Sequence, residues 1–166
     1  MKKLIALCMA AALCLSALSA CGPKPAEEKK ADLAAFAQSV QEKHEFSSLE
    51  KADPADEEFG VIMLENAYPG LKDLDLEQVE VYLAMVSFSG GELAVVQAKD
   101  ADGAAKVKEI FQARVTAKST DGPGNYPEEV EMWQRSAKVA EHGNYVLLVN
   151  HPDSEAIVSE FEALFQ

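Results

Sequence analysis

The chain is 166 residues long, carries a formal net charge of −13 and is 48% hydrophobic, with 28 acidic side chains against 15 lysines and arginines. That length suits one domain with a core of its own. A surface this acidic, with no basic stripe to offset it, repels phosphate backbones and anionic headgroups, which excludes nucleic acid as a partner.

Lys2 and Lys3 precede an apolar stretch from Leu4 to Leu18, the arrangement of an export signal. As a membrane span the stretch is short, because a hydrocarbon core of ~30 Å takes about 20 helical residues. It ends in Leu18-Ser19-Ala20-Cys21-Gly22, which reads as a lipobox. Leu18, Ser19 and Ala20 are the expected signal-peptidase recognition residues, and the Cys21 thiol is the expected lipidation site. Residues 1–20 are therefore expected to be a lipoprotein signal peptide. The mature chain is expected on the outer, extracytoplasmic face of the cell membrane, its partner being the membrane itself through lipid on Cys21. One acyl chain, such as palmitate, binds only marginally, whereas two or three on one residue hold stably. A plain cleavable secretory signal is the alternative. Cys8 and Cys14 fall inside the signal, so acylation of Cys21 leaves no thiol for a disulfide, a nucleophile or a metal. The segment Gly22 to Lys30, GPKPAEEKK, is proline-rich and charged. Residues 21–30 thus read as a solvated tether, and residues 31–166 as a single domain.

Leu33, Phe36, Ala37 and Val40 repeat at helical spacing and predict an amphipathic helix from Ala31 to about Lys43. Asp53-Pro54 resembles an N-cap with proline at the first position, predicting a second helix to Ala67 with Phe59, Ile62, Met63 and Ala67 inward. Gly60 sits awkwardly in that helix, and Tyr68-Pro69-Gly70 ends it in a turn. Val79 to Phe88 and Glu92 to Ala98 read as two strands of a hairpin. Asp100 to Asp102 offer cap oxygens for a helix to about Lys118, with Ala104, Val107, Ile110, Phe111 and Val115 inside. After a polar loop, Pro127 to about Arg135 predicts a short helix. A second hairpin follows, Ala137 to Glu141 and Tyr145 to Asn150, turning at His142-Gly143-Asn144, where Gly and Asn tolerate positive φ. Asp153 is the expected cap of a closing helix with Ile157, Val158, Phe161, Leu164 and Phe165 on one side.

The order strand, glycine turn, strand, aspartate, helix occurs twice, which predicts an α+β fold: a mostly antiparallel four-stranded sheet from two ββα units with helices packed on it. Duplication is one source of such an echo, but two ββα units converge easily, so we read it as architectural. The strands are apolar on both sides, as in Val79, Val81, Leu83, Met85 against Tyr82, Ala84, Val86, Phe88. Such a sheet is either covered twice, which is the expectation here, or left with a greasy face for a partner.

No catalytic constellation emerges, and no cofactor or metal is implied. His142 and His151 flank one strand and His44 ends the first helix, so all three read as surface histidines, with neither zinc-ligand spacing nor a neighbouring carboxylate. No serine lies in a Gly-x-Ser-x-Gly elbow, and the glycine-rich turns lack a phosphate grip. Asp100-Ala101-Asp102-Gly103 resembles the start of a calcium loop, but the later ligands are missing and capping accounts for both aspartates. The acidic run Asp53, Asp56, Glu57, Glu58 suits a helix N-terminus.

The strings YPGL (Tyr68 to Leu71), GELAVVQAKD (Gly91 to Asp100), VKEIFQARV (Val107 to Val115), YPEEVEMW (Tyr126 to Trp133) and GNYVLLV (Gly143 to Val149) resemble a family of uncharacterised lipoproteins of Gram-positive, Clostridia-like bacteria carrying a domain of unknown function. The resemblance covers roughly Tyr68 to Phe165 and implies a small α+β lipoprotein domain. It brings no catalytic residue, ligand or partner with it. The expected function is that of a non-enzymatic binding or interaction domain working beside a protein or envelope partner. One alternative is a small envelope enzyme or accessory subunit using two inward-facing carboxylates. Another is a solute-binding lipoprotein of a transporter.

Overall fold

The structure is a computed structural model and describes residues 30–85, 91–120, 122 and 126–166. Its elements follow the apolar periodicity of the chain. Helix α1 spans Leu33–Lys43, where the Asp32 carboxylate accepts the Ala35 N–H and so caps the first turn. Strand β1 is Leu49–Lys51, α2 is Gly60–Ala67, and a 3-10 turn at Leu71–Asp73 leads into β2, Leu76–Ala84. Strand β3, Glu92–Ala98, precedes the long α3, Ala101–Lys118. Helix α4, Pro127–Ser136, starts on proline, whose missing N–H costs nothing in the first turn. The hairpin β4, Ala137–His142, and β5, Tyr145–Asn150, turns on Gly143 at φ 54. Helix α5, Ser154–Ala163, closes the domain.

The sheet is antiparallel in the order β1-β2-β3-β5-β4, so the α+β reading holds but with five strands among the described residues instead of four. The added strand, β1, pairs Leu49 with Ala84 and Lys51 with Tyr82 at the edge. At three residues it is too short to carry a periodicity. The two central strands, β3 and β5, run side by side from Glu92↔Asn150 to Gln97↔Tyr145 and are buried throughout.

Both faces of this sheet are covered. Val81, Leu83, Ala94, Val96, Val146 and Leu148 point to one side, under Leu64 of α2, Val107 and Phe111 of α3, and Trp133 of α4. Leu93, Val95, Tyr145, Leu147 and Val149 point to the other, under Leu33, Phe36 and Val40 of α1 and Ile157 and Phe161 of α5. The two ββα units therefore send their helices, α3 and α5, to opposite faces.

Two expectations are corrected. The helix expected from Pro54 begins only at Gly60, and Phe59 and Ile62, expected inside, are 52% and 57% exposed. The buried face is Gly60, Leu64 and Ala67. Asp53 and Asp56 close turns instead of capping a helix: Asp53 Oδ1 accepts the Ala55 N–H, and Asp56 Oδ1 accepts those of Glu58 and Phe59. The strand expected over residues 79–88 starts earlier, at Leu76, and ends at Ala84. Residues 86–90 lie outside the described residues.

Candidate functional site

A small polar cleft opens where the start of β3 meets α3 and α4. Its volume is about 200 Å³, and Ala84, Gly91, Glu92, Arg114, Lys118, Glu129 and Trp133 line it. Helical spacing builds it: Arg114 and Lys118 stand one turn apart on α3, and Glu129 and Trp133 one turn apart on α4. Glu92, the first residue of β3, is 3% exposed, and Glu129 likewise.

Each acid holds a cation. Arg114 donates Nε to Glu92 Oε1 at 3.0 Å and Nη2 to Glu92 Oε2 at 2.7 Å. The buried Tyr68 hydroxyl donates to the same Oε1. Burial, and then the charge of Glu92, push the Tyr68 phenol well above its ordinary pKa. The Arg114 guanidinium lies 5.8 Å from the Tyr68 ring centre and 5.6 Å from that of Trp133. Lys118 Nζ meets Glu129 Oε1 at 2.6 Å. Of the buried polar atoms without a hydrogen-bond partner among the described residues, two belong to this cleft's lining: Glu129 Oε2, an acceptor, and Trp133 Nε1, a donor. Buried polar atoms are seldom left so in folded proteins, and these two belong to residues that line the cleft.

A second cluster lies where the end of α1 meets the start of α5. His44 Nδ1 is 3.1 Å from Asp153 Oδ2, and His44 Nε2 is 3.2 Å from Glu160 Oε1. His151 packs beside them, its ring centre 6.0 Å from that of His44 and 4.4 Å from that of Phe46. Glu160 also takes Lys43 Nζ at 2.9 Å; Lys43 foremost, with His44, holds the Glu160 carboxyl below the usual carboxylate range.

A third feature, a shallow groove along α1, is lined by Asp32, Gln38, Glu42, Lys51, Glu80 and Tyr82 among others. Within it Glu80 takes Lys51 Nζ at 3.0 Å and the Tyr82 hydroxyl at 2.7 Å.

Leu18, Ser19, Ala20 and Cys21 lie outside the described residues. Of the histidines, His142 is stacked on Phe165 with ring centres 4.1 Å apart, away from the other two. His44 and His151, expected as separate surface residues with no carboxylate neighbour, are brought together with Asp153 and Glu160. Asp100 does what the sequence implies: its Oδ1 accepts the Gly103 N–H at 2.8 Å. Asp153 does not, making no side-chain cap bond to α5. The signal for the cleft in the sequence is a charge at a core position, Glu92 at the head of an apolar strand and Glu129 beside Val130.

Among the described residues no helix is long and apolar enough to cross a membrane. Residues 50–151 match a family described as a domain of unknown function, DUF4358. The matched stretch contains every residue of the cleft and His151; His44, Asp153 and Glu160 fall outside it. No curated protein and no solved structure matches the chain.

Proposed function

The chain belongs to the family described as a domain of unknown function, DUF4358, and from that premise we propose that it is a lipid-anchored extracytoplasmic binding domain whose ligand seats in the cleft between Glu92, Arg114, Glu129 and Trp133. The observation that carries the reading is the pair of buried unpartnered atoms, Glu129 Oε2 and Trp133 Nε1. A ligand completing them presents a donor to Glu129 Oε2 and an acceptor to Trp133 Nε1, and a cleft of about 200 Å³ limits it to a small polar or zwitterionic molecule. The cleft's formal charges cancel, two acids against two cations, which favours a ligand without net charge.

Support for the anchor is the sequence from Lys2 to Cys21, which has the layout of a lipoprotein signal. Lipid on Cys21, with residues 22–30 as spacer, sets the domain beside the membrane and any protein or envelope partner there.

The enzyme alternative draws on one observation, that Glu92 and Glu129 are two buried carboxylates in one cleft. Binding is the better reading because Glu92 is held by Tyr68 and by Arg114 at both oxygens, which leaves Glu129 with the open oxygen and not the pair of free carboxylates that the enzyme reading needs. A transporter's solute-binding subunit would need two hinged lobes, whereas Ala31–Gln166 is built on a single sheet.

The test is a thermal-shift and calorimetric screen of the detergent-solubilised full chain against free amino acids, dipeptides and amino sugars. A ligand should bind wild type, and Glu129→Gln and Trp133→Phe should each weaken it at least about tenfold, the loss of one hydrogen bond to a charged or buried partner. Binding that ignores both substitutions, or turnover of a bound compound, would refute the binding reading. For the anchor, Cys21→Ser should give uncleaved precursor or protein released to the medium; normal processing with unchanged membrane retention would refute it.

A further inference from the structure

His44, His151 and Asp153 each offer a ligand atom within 4.8 Å of the others. His44 stands at the end of α1 and His151 and Asp153 at the junction of β5 with α5, so rigid elements fix all three. The His44 and His151 side chains are only 11% and 10% exposed.

The hydrogen bonds of His44 leave a place for a cation. A neutral imidazole has one N–H and one lone pair, yet both nitrogens of His44 face carboxylates, Nδ1 toward Asp153 at 3.1 Å and Nε2 toward Glu160 at 3.2 Å. One of those carboxylates meets a lone pair unless the ring holds a second proton or a cation lies between. His151 has its tautomer assigned by its partners: Nδ1 accepts the Asp153 N–H at 3.1 Å, which leaves the proton on Nε2, 3.4 Å from the Glu45 carbonyl. With Nε2–H of His44 donated to Glu160, both rings carry the proton on Nε2 and turn the Nδ1 lone pair toward Asp153. This is how metal-ligating histidines are held, the outer nitrogen donating to a carboxylate or a carbonyl while the inner one binds the ion.

We propose that His44, His151 and Asp153 form a binding site for a divalent transition-metal ion, with Glu160 and the Glu45 carbonyl orienting the two imidazoles. Two nitrogens and a carboxylate suit zinc or ferrous iron better than calcium or magnesium, which take oxygen ligands. Tetrahedral zinc with bonds of about 2.0–2.1 Å sets its ligand atoms about 3.4 Å apart. Asp153 Oδ2 lies 3.1 Å from His44 Nδ1 and 4.0 Å from His151 Nδ1, on either side of that spacing. Three protein ligands leave a fourth position for water or a ligand, the pattern of an open site and not of a structural one. In taking the His151 lone pair the ion displaces the Asp153 N–H, which lies at a helix start where water replaces the bond.

The experiment is a zinc titration of the chain purified from membranes and stripped with chelator, read by competition with a fluorescent zinc indicator. Wild type should take up one zinc ion, His44→Ala and His151→Ala should each weaken binding at least about tenfold, and Glu160→Gln by about tenfold, the usual effect of removing an orienting partner. His142→Ala, at the stacked histidine, should change nothing. No stoichiometric uptake at micromolar free zinc, or equal weakening by His142→Ala, overturns the proposal. Because a His44 variant could fail to fold, the zinc X-ray absorption spectrum of wild type decides independently. Scattering from two imidazoles with an oxygen neighbour supports the site, and sulfur or oxygen neighbours alone overturn it.

Discussion

Arg114 grips Glu92 at two points, Nε on Oε1 at 3.0 Å and Nη2 on Oε2 at 2.7 Å, under a Glu92 side chain only 4% exposed. A paired fork of this kind is geometry that lysine cannot reproduce. It also makes each partner depend on the other, since removing one strands a buried charge.

Arg114→Met should therefore destabilise the domain by about 3–5 kcal/mol, and Glu92→Leu by a similar amount, as breaking a buried pair does. Replacing both at once should cost far less than the two single changes added together, because no unpaired charge is left inside. Urea unfolding of the four proteins measures this. Additive costs would mean that the pair is uncoupled and that each residue matters only through its packing.

The phenol bonded to Glu92 gives the domain an alkaline limit. Burial first, and the Glu92 charge second, raise the Tyr68 pKa well above normal; burial and the Glu80 hydrogen bond raise that of Tyr82 as well. A folded pKa above the unfolded one stabilises the protein fully below the unfolded value, about 10 for tyrosine, and the benefit is lost as pH climbs past it. The melting temperature should accordingly fall above about pH 10, with tyrosinate absorbance from these two residues appearing together with unfolding. Tyr68→Phe should melt lower at pH 8 yet decline less steeply above pH 10. Free titration of all four tyrosines in the folded protein would contradict this.

How far the fold could be read depended on whether a signal was local. Strands β3 and β5 are continuous apolar runs, so their limits are visible in the sequence. Strand β1 exists only through its pairing with β2, and nothing in Leu49-Glu50-Lys51 announces it. Helix α2 starts later than its sequence signal for a steric reason. A methyl group on Gly60 would collide with the Asp53 backbone, so the chain doubles back on itself there before the helix begins. The candidate sites are non-local by construction. Glu92 and Arg114 are 22 residues apart, and His44 and Asp153 are 109 apart, so no spacing rule joins them.

Asp100 and Asp153 show the same limit in one comparison, since each stands just before a helix and reads alike. Asp100 is extended, at φ −147, and its Oδ1 accepts the Gly103 N–H at 2.8 Å. Asp153, at φ −91 and ψ 20, makes no such bond, and its Oδ2 faces His44 instead. Asp100→Ala should cost about 1 kcal/mol and Asp100→Asn almost nothing, because asparagine caps as well as aspartate. At Asp153 the chemistry differs. Its side chain is 58% exposed, so in chelator its contact with His44 should contribute no more than about 1 kcal/mol after solvent screening. What identifies the role is its dependence on His44. In a His44→Ala background Asp153→Ala should cost nothing further, while Asp100→Ala should cost the same as before. Thermal melts of these variants in chelator supply the measurement. An unchanged penalty for Asp153→Ala without His44 would return Asp153 to the role of a helix cap and remove the contact on which the histidine cluster is built.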